Sequence, residues 1–186
     1  FMRALRERAL PQFARLDEEA DEFAQAEYER IGQFPSSGDE PFDMGDAAEQ
    51  AHDAAVSWYQ TMCGVRQSLI NLHAVGLRHL FEQQLYDFVR HARLSEGKEA
   101  NFREDCKAVE SLGLPLAELA SWEKLEELRL LCNSIKHAEG SGSRQLKTSR
   151  PDLFTAPSVS GFPFVGNPGP TVQPLAGEDV YLKEDE

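Results

Sequence analysis

The stretch LEELRLLCNSIKH, residues 125–137, decides the fold class of this chain. Its apolar side chains recur at steps of three and four residues, the spacing of one face of an α-helix. On a helical wheel, polar residues gather on an adjoining stripe, which we call the polar stripe: Arg129, Asn133, Lys136 and His137. The wheel therefore predicts an amphipathic helix whose core edge carries Leu125, Leu128, Leu131, Cys132 and Ile135.

Similar spacing predicts further helices earlier in the chain. Residues 2–31 suggest one long helix or two short ones, with Pro11 starting or kinking it. A Gly- and Pro-rich loop follows at 32–45, and Asp46 then resembles the first residue of a capping box. The helix that it opens is predicted to run to about residue 94, with Leu77, Leu80 and Phe88 continuing its apolar side.

That predicted helix would be on the order of 70 Å long, so we expect a kink near Gly64 or Gly76. A shorter helix is predicted around 101–112, stopped by Gly113. Pro115 then fits the first turn of the last strong helix, which ends at Lys136 or His137.

The C-terminal part differs in composition. Residues 140–177 contain six Gly and six Pro, which predicts an irregular arm rather than a continuing helix. The acidic end of the chain is expected to lead into another helix, which would make the chain a fragment. We therefore predict an all-α fold, a four- or five-helix up-and-down bundle over 1–139, followed by a Gly/Pro-rich arm over 140–186.

Composition restricts the class of protein. No apolar run reaches the roughly 18 to 20 residues that a membrane span needs, and the N-terminus lacks a secretory signal. The three cysteines are widely spaced and form no C-x-x-C pair, which argues against disulfides and zinc. We expect a soluble, cytoplasmic protein with no membrane partner and no cofactor.

Charge is distributed unevenly along the chain. The net charge is −13, which gives no general reason to expect nucleic-acid binding. Residues 129–150, however, hold five Lys or Arg side chains against one acid. Arg144, Lys147 and Arg150 in this segment are therefore candidate RNA contacts, and a solvated loop with scattered bases is the alternative.

The polar stripe combines residue types that suit phosphodiester chemistry. Histidine exchanges protons near neutral pH, cations stabilise developing phosphate charge, and asparagine orients groups by hydrogen bonds. In the alternative interpretation, Asn133 and His137 only satisfy carbonyl groups in the last helical turn. Sequence alone leaves both interpretations open.

The string CNSIKH, residues 132–137, resembles the R-N-x-x-x-H form of the R-x(4–6)-H motif of the HEPN superfamily. These all-helical domains occur in bacterial toxins, antiphage defence proteins and CRISPR-associated ribonucleases. The longer string, N-x-I-K-H-x-x-G followed by RPDLF, resembles a group of bacterial HEPN-like proteins. The resemblance covers residues 66–154 and is firm over 128–154.

The resemblance implies a homodimer that cleaves RNA without metal, through attack of the ribose 2′-OH on the adjacent phosphate. His137 would be the acid/base residue and Asn133 the polar residue after the family arginine. Cys132 occupies the position of that arginine, so Arg129 and Lys136 become the candidate stabilisers of phosphate charge. The alternative is a noncatalytic HEPN-like module that binds a protein partner encoded nearby.

Other residues give weaker signals. His79 and Glu82 share a helix face and are second-tier candidates, with Glu82 orienting His137 or binding a cation. Glu49-x-x-His52 has the spacing of half a di-metal site but occurs once, so we predict no metal. Phe102 and Trp122 are interpreted as core or dimer contacts rather than base-stacking groups. Zincin, nucleotide-loop and hydrolase-elbow motifs are missing from the sequence.

Overall fold

A computed structural model describes residues 2–33, 43–92, 101–157, 172–177 and 179–183. Within these ranges the chain is all-α and contains no strand, so the predicted all-α class is confirmed. None of the described helices combines the length and apolarity needed to cross a bilayer. The α-helices of nine residues or more are α1 (Leu16–Gly32), α2 (Met44–His91), α3 (Phe102–Glu110), α4 (Trp122–His137) and α5 (Ser141–Ser149).

Among the described residues, three short helical turns precede α1. An α-helical turn at Met2–Ala4 leads into a π-helical turn at Leu5–Ala9 and a 3-10 turn at Leu10–Phe13. Pro11 lies in the first turn of the 3-10 segment, where its missing N–H removes no helical hydrogen bond. Of the two predicted arrangements, the structure therefore has the interrupted one.

The helix α2 is assigned as one uninterrupted helix of 48 residues. Asp43 caps it by accepting a 2.7 Å hydrogen bond from the backbone N–H of Gly45, so the predicted start at Asp46 was wrong by one turn. The helix α1 packs against its first half, where small buried residues allow close approach. These are Ala47, Ala51 and Ala55.

The second half of α2 departs from the predicted pattern. Leu77, Leu80 and Phe88 are 38%, 42% and 49% exposed, although their spacing placed them on the apolar side. After Asn71, the buried positions of α2 are instead Arg78 and Val89. Because α3 and α4 pack against this half of α2, the face that they cover decides which residues are buried.

The helices α3 and α4 are close to the predicted ones. The Asn101 side chain caps α3 by accepting from the N–H of Glu104 at 3.0 Å, and Gly113 adopts a φ of +80° after the helix. The helix α4 begins at Trp122 rather than at Pro115, because Leu116–Glu118 form a separate 3-10 turn. It ends at His137, as predicted.

Residues 141–154 are mostly helical, contrary to the predicted irregular arm over 140–186, whereas the other described residues of that arm form no helix or strand and its remaining residues lie outside the described ranges. The helical segment forms α5 and then a 3-10 turn at Pro151–Phe154. A Cβ atom built on Gly142 would lie 3.2 Å from the Cβ of Asn133, so this glycine permits close contact between α5 and α4. The segment contributes Leu146 and Leu153 to a core that also holds Leu130, Leu131, Ile135 and Val180.

The C-terminal segment folds back onto α2 through buried polar groups. The amide of Asn71 donates hydrogen bonds of 2.9 Å to the carbonyl oxygens of Ala176 and Val180. The hydroxyl of Ser68 accepts from the N–H of Leu175 at 2.6 Å and from that of Ala176 at 3.0 Å. Hydrophobic periodicity does not predict this docking, because polar residues on α2 make it.

Candidate functional site

The polar stripe lies on the outer side of α4. His137 and Lys136 are exposed at the helix end, and Asn133 and Arg129 are half-buried. On the adjoining edge, Leu131, Cys132 and Ile135 are buried, as the wheel predicted, whereas Leu125 and Leu128 are half-buried. The stripe and the core edge are therefore separated as expected.

Cys132 stands where the motif that this stretch resembles has arginine. Its side chain is 3% exposed, and its Sγ atom donates to the carbonyl oxygen of Ala74 at 3.6 Å. Burial raises the pKa of this thiol to about 11, against the lowering effect of nearby Lys136 and Arg78. The group is therefore a neutral thiol at physiological pH and supplies no positive charge to a phosphate.

Arg129 lies one turn before Asn133 on the same stripe. Its guanidinium forms an ion pair with Glu126 on α4, with an N to O distance of 2.9 Å, and both side chains are partly exposed. Since exposed ion pairs contribute little to stability, this pair can open at small cost. Arg129 can therefore bind an external anion only after its ion pair with Glu126 breaks.

Arg129 and Asn133 line a cleft of about 690 Å³ formed by α2, α3 and α4, which we call the α3 cleft. Phe102 and Trp122, predicted as core or dimer contacts, also line it. Among the described residues, four cationic side chains face three acidic ones here, in a chain of net charge −13. They are Arg78, Arg103, Lys107 and Arg129, against Glu82, Glu110 and Glu126.

Arg78 is the residue of this cleft that the sequence analysis missed. It is only 4% exposed, and its guanidinium carbon lies 3.8 Å from the centre of the Phe102 ring. Its Nε and Nη2 atoms donate to one carboxylate oxygen of Glu82 at 3.1 and 3.0 Å. Its buried Nη1 atom has no acceptor among the described residues. The available signal was the Arg78 to Glu82 spacing of four residues, which suits an ion pair along one helix face.

The two second-tier candidates, Glu82 and His79, lie in different surroundings. Glu82 lines the α3 cleft and pairs with Arg78. The partner of Glu82 is therefore Arg78, and not His137 as the sequence had suggested. His79 is exposed, and neither it nor His137 belongs to the described lining of the cleft. The structure thus brings Glu82 together with Arg129 and Asn133 but leaves both histidines outside.

The three candidate RNA-contacting bases lie on and just after α5. Arg144 and Lys147 are exposed, and the Lys147 ammonium is 5.0 Å from the centre of the Phe154 ring. Arg150 forms ion pairs with Glu127 and Asp152. Arg144 and Lys147 are therefore better placed than Arg150 to contact an external anion.

The described residues contain no cluster of metal-binding side chains. Glu49 and His52 are exposed on α2. Within the described ranges, no three His, Cys, Asp or Glu side chains gather in a way that could hold a metal ion. Glu49 and His52 accordingly lack the further ligands that a metal site would need in this part of the chain.

Comparison of the chain with protein-family models, curated proteins and solved structures found no match. The polar stripe and the α3 cleft are the two features of the described residues whose chemistry indicates a function. These two features share Arg129 and Asn133, and they differ in that only the stripe includes a histidine.

Proposed function

We propose that this protein is a HEPN-like endoribonuclease of a bacterial toxin or antiphage defence system, acting without metal as a cytoplasmic homodimer. The observation that supports this most is the position of His137. It is the last residue of α4, it is exposed, and it follows the cleft-lining Asn133 by one helical turn. An imidazole placed in this way can meet an RNA strand and a second subunit from the same side.

The chemistry needs one group to accept a proton and one to donate a proton. In one protomer, the neutral imidazole of His137 removes the proton of a ribose 2′-OH as its oxygen attacks the adjacent phosphorus. In the other protomer, protonated His137 gives a proton to the departing 5′ oxygen. The P–O5′ bond breaks, and the products carry a 2′,3′-cyclic phosphate and a 5′-hydroxyl. A dimer therefore completes a site that one His137 leaves incomplete.

The developing phosphorane charge requires a cation near His137. Lys136 is exposed next to it, and within the described residues it forms no ion pair. Arg129 lies two turns earlier and is held by Glu126. We therefore assign the larger role in charge stabilisation to Lys136 and a secondary role to Arg129, with Asn133 orienting the substrate.

A noncatalytic interaction module is the second candidate, and the burial of Cys132 favours it. The family arginine would need an open position, whereas residue 132 faces the core and contacts Ala74. Loss of catalysis leaves such a position free to become apolar. In that case the protein would bind a protein partner encoded nearby and leave RNA intact.

The proposal is tested by measuring RNA cleavage in EDTA for wild-type protein and for His137→Ala. His91→Ala is the matched control, because His91 is the exposed last residue of α2 and bonds the Asp87 carbonyl at 2.7 Å. We expect His137→Ala to lose cleavage by at least about a hundredfold while His91→Ala keeps it. Cleavage that persists in His137→Ala would exclude the assignment, and intact RNA with wild-type protein would favour the module.

A further inference from the structure

We propose that the α3 cleft binds the dianion of a phosphate monoester, with Arg78 as its main anion-binding residue. This inference does not depend on RNA cleavage, because it rests on different side chains from His137. Two observations carry it: the unused donor of a buried guanidinium, and the unpaired cations around it.

The unused donor is Nη1 of Arg78. The side chain is 4% exposed, and Nη1 has no hydrogen-bond acceptor within the described ranges. Buried polar groups almost always have partners, because an unmade hydrogen bond keeps its full desolvation cost. Nη1 itself is closed to solvent, so an acceptor from a ligand in the adjoining cleft of about 690 Å³ reaches it only when a neighbouring side chain moves.

The guanidinium is held in position by an aromatic ring and a carboxylate. Phe102 stacks on its plane at 3.8 Å, which fixes the orientation of its donors. Glu82 accepts from Nε and Nη2 through one oxygen, and its side chain is 38% exposed. Glu82 can therefore turn into solvent and leave the donor fork of Arg78 to two oxygens of a phosphate, the bidentate geometry that guanidinium favours.

Nearby charges favour a dianion. Arg103 and Lys107 line the same cleft from α3, and neither forms an ion pair with any described residue. Glu126 is engaged by Arg129, and Glu82 by Arg78, which leaves Glu110 as the acid without an ion-pair partner in the described lining. Once Glu82 turns into solvent, Arg78, Arg103 and Lys107 are cations of this lining without an acidic partner, and three cations suit a phosphate better than a single carboxylate does.

The cleft is larger than a phosphate group, so it has room for the molecule that carries the phosphate. Two sources share this chemistry: a free phosphorylated small molecule and the 5′-phosphate end of an RNA strand. Glycerol 3-phosphate represents the first source. A short RNA with a 5′-phosphate represents the second, and the same RNA with a 5′-hydroxyl is its control.

Calorimetric titration of the full chain with glycerol 3-phosphate tests the proposal, with acetate as the monoanionic control. Arg78→Met should weaken binding by about tenfold or more, since a charged hydrogen-bond pair is lost. Arg90→Met removes the same charge from an exposed position on α2 and should leave the affinity unchanged. If the 5′-phosphorylated RNA binds more strongly than glycerol 3-phosphate, the phosphate belongs to an RNA end. If it binds equally or more weakly, the phosphate belongs to a small molecule.

Glu82→Gln gives a second test that does not need Arg78 to be removed. This variant takes away the carboxylate that competes for the guanidinium, so phosphate binding should tighten by severalfold. Glu110→Gln makes the same charge change in the cleft without touching Arg78 and should have a smaller effect. The proposal is overturned if wild-type protein binds no phosphate monoester, if Arg78→Met binds as tightly as wild type, or if Glu82→Gln weakens binding.

Discussion

The buried amide of Asn71 donates a 2.9 Å hydrogen bond to the carbonyl oxygen of Val180, joining α2 to the C-terminal segment. Val180 is fully buried in the core cluster that also holds Leu131 and Ile135 of α4. The helix that carries His137 is thus supported on its core side by a segment that a polar residue of α2 holds in place.

Asn71→Ala should lower the free energy of unfolding by about 2–4 kcal/mol, because two carbonyl groups lose their partner and a cavity forms. Urea denaturation followed by circular dichroism measures the change. The control is Gln84→Ala at an exposed position of the same helix, expected within about 0.5 kcal/mol of wild type. Equal stability of the two variants would contradict the role given to Asn71.

Gly64→Ala should also destabilise the fold, although alanine is the better helix former. A Cβ atom at residue 64 would lie 2.3 Å from the carbonyl oxygen of Gln173, so the C-terminal segment would have to move. We expect a loss of about 2 kcal/mol or more in urea denaturation. Gly32→Ala at the end of α1 meets nothing within 4 Å and should be neutral or slightly stabilising. A neutral Gly64→Ala would show that the segment does not pack as described.

Because the Cys132 thiol is buried, we expect the free energy of unfolding to fall at alkaline pH. Its pKa rises from 9.0 to about 11 on folding because of burial. The unfolded chain therefore loses this proton first, and stability present below pH 9.0 is lost as pH rises towards 11. Cys132→Ala should reduce the slope of unfolding free energy against pH in this window, measured by urea denaturation.

Part of that slope should remain in Cys132→Ala, because burial also raises the pKa of Cys63 and Cys106. The comparison therefore uses the slope rather than the absolute stability. Identical slopes for Cys132→Ala and wild type would contradict the burial of this thiol in solution.

The helix α4 shows what periodicity can predict. Leu131, Cys132 and Ile135 are buried and His137 ends the helix, because one strongly amphipathic stretch decides its own packing face. The helix α5 was missed because Gly140 and Gly142 count as helix breakers in a sequence. In the structure, Gly142 instead allows α5 to approach α4 closely.

Arg78 shows what periodicity cannot predict. Charged residues are expected at the surface, yet Arg78 is buried because Phe102, from a helix later in the chain, stacks on it. The same tertiary packing leaves Leu77 and Leu80 exposed. Which face of a long helix is buried depends on its neighbours, and that information is not local to α2.

Mass spectrometry of RNA products formed in EDTA tests most directly whether the protein cleaves RNA without metal through 2′-OH attack. A substrate is compared with the same RNA carrying a 2′-deoxy residue at the cleaved position. We expect 2′,3′-cyclic phosphate and 5′-hydroxyl ends from the first RNA and no cleavage at that position in the second. Products with 5′-phosphate ends, or cleavage after the deoxy residue, would contradict this mechanism.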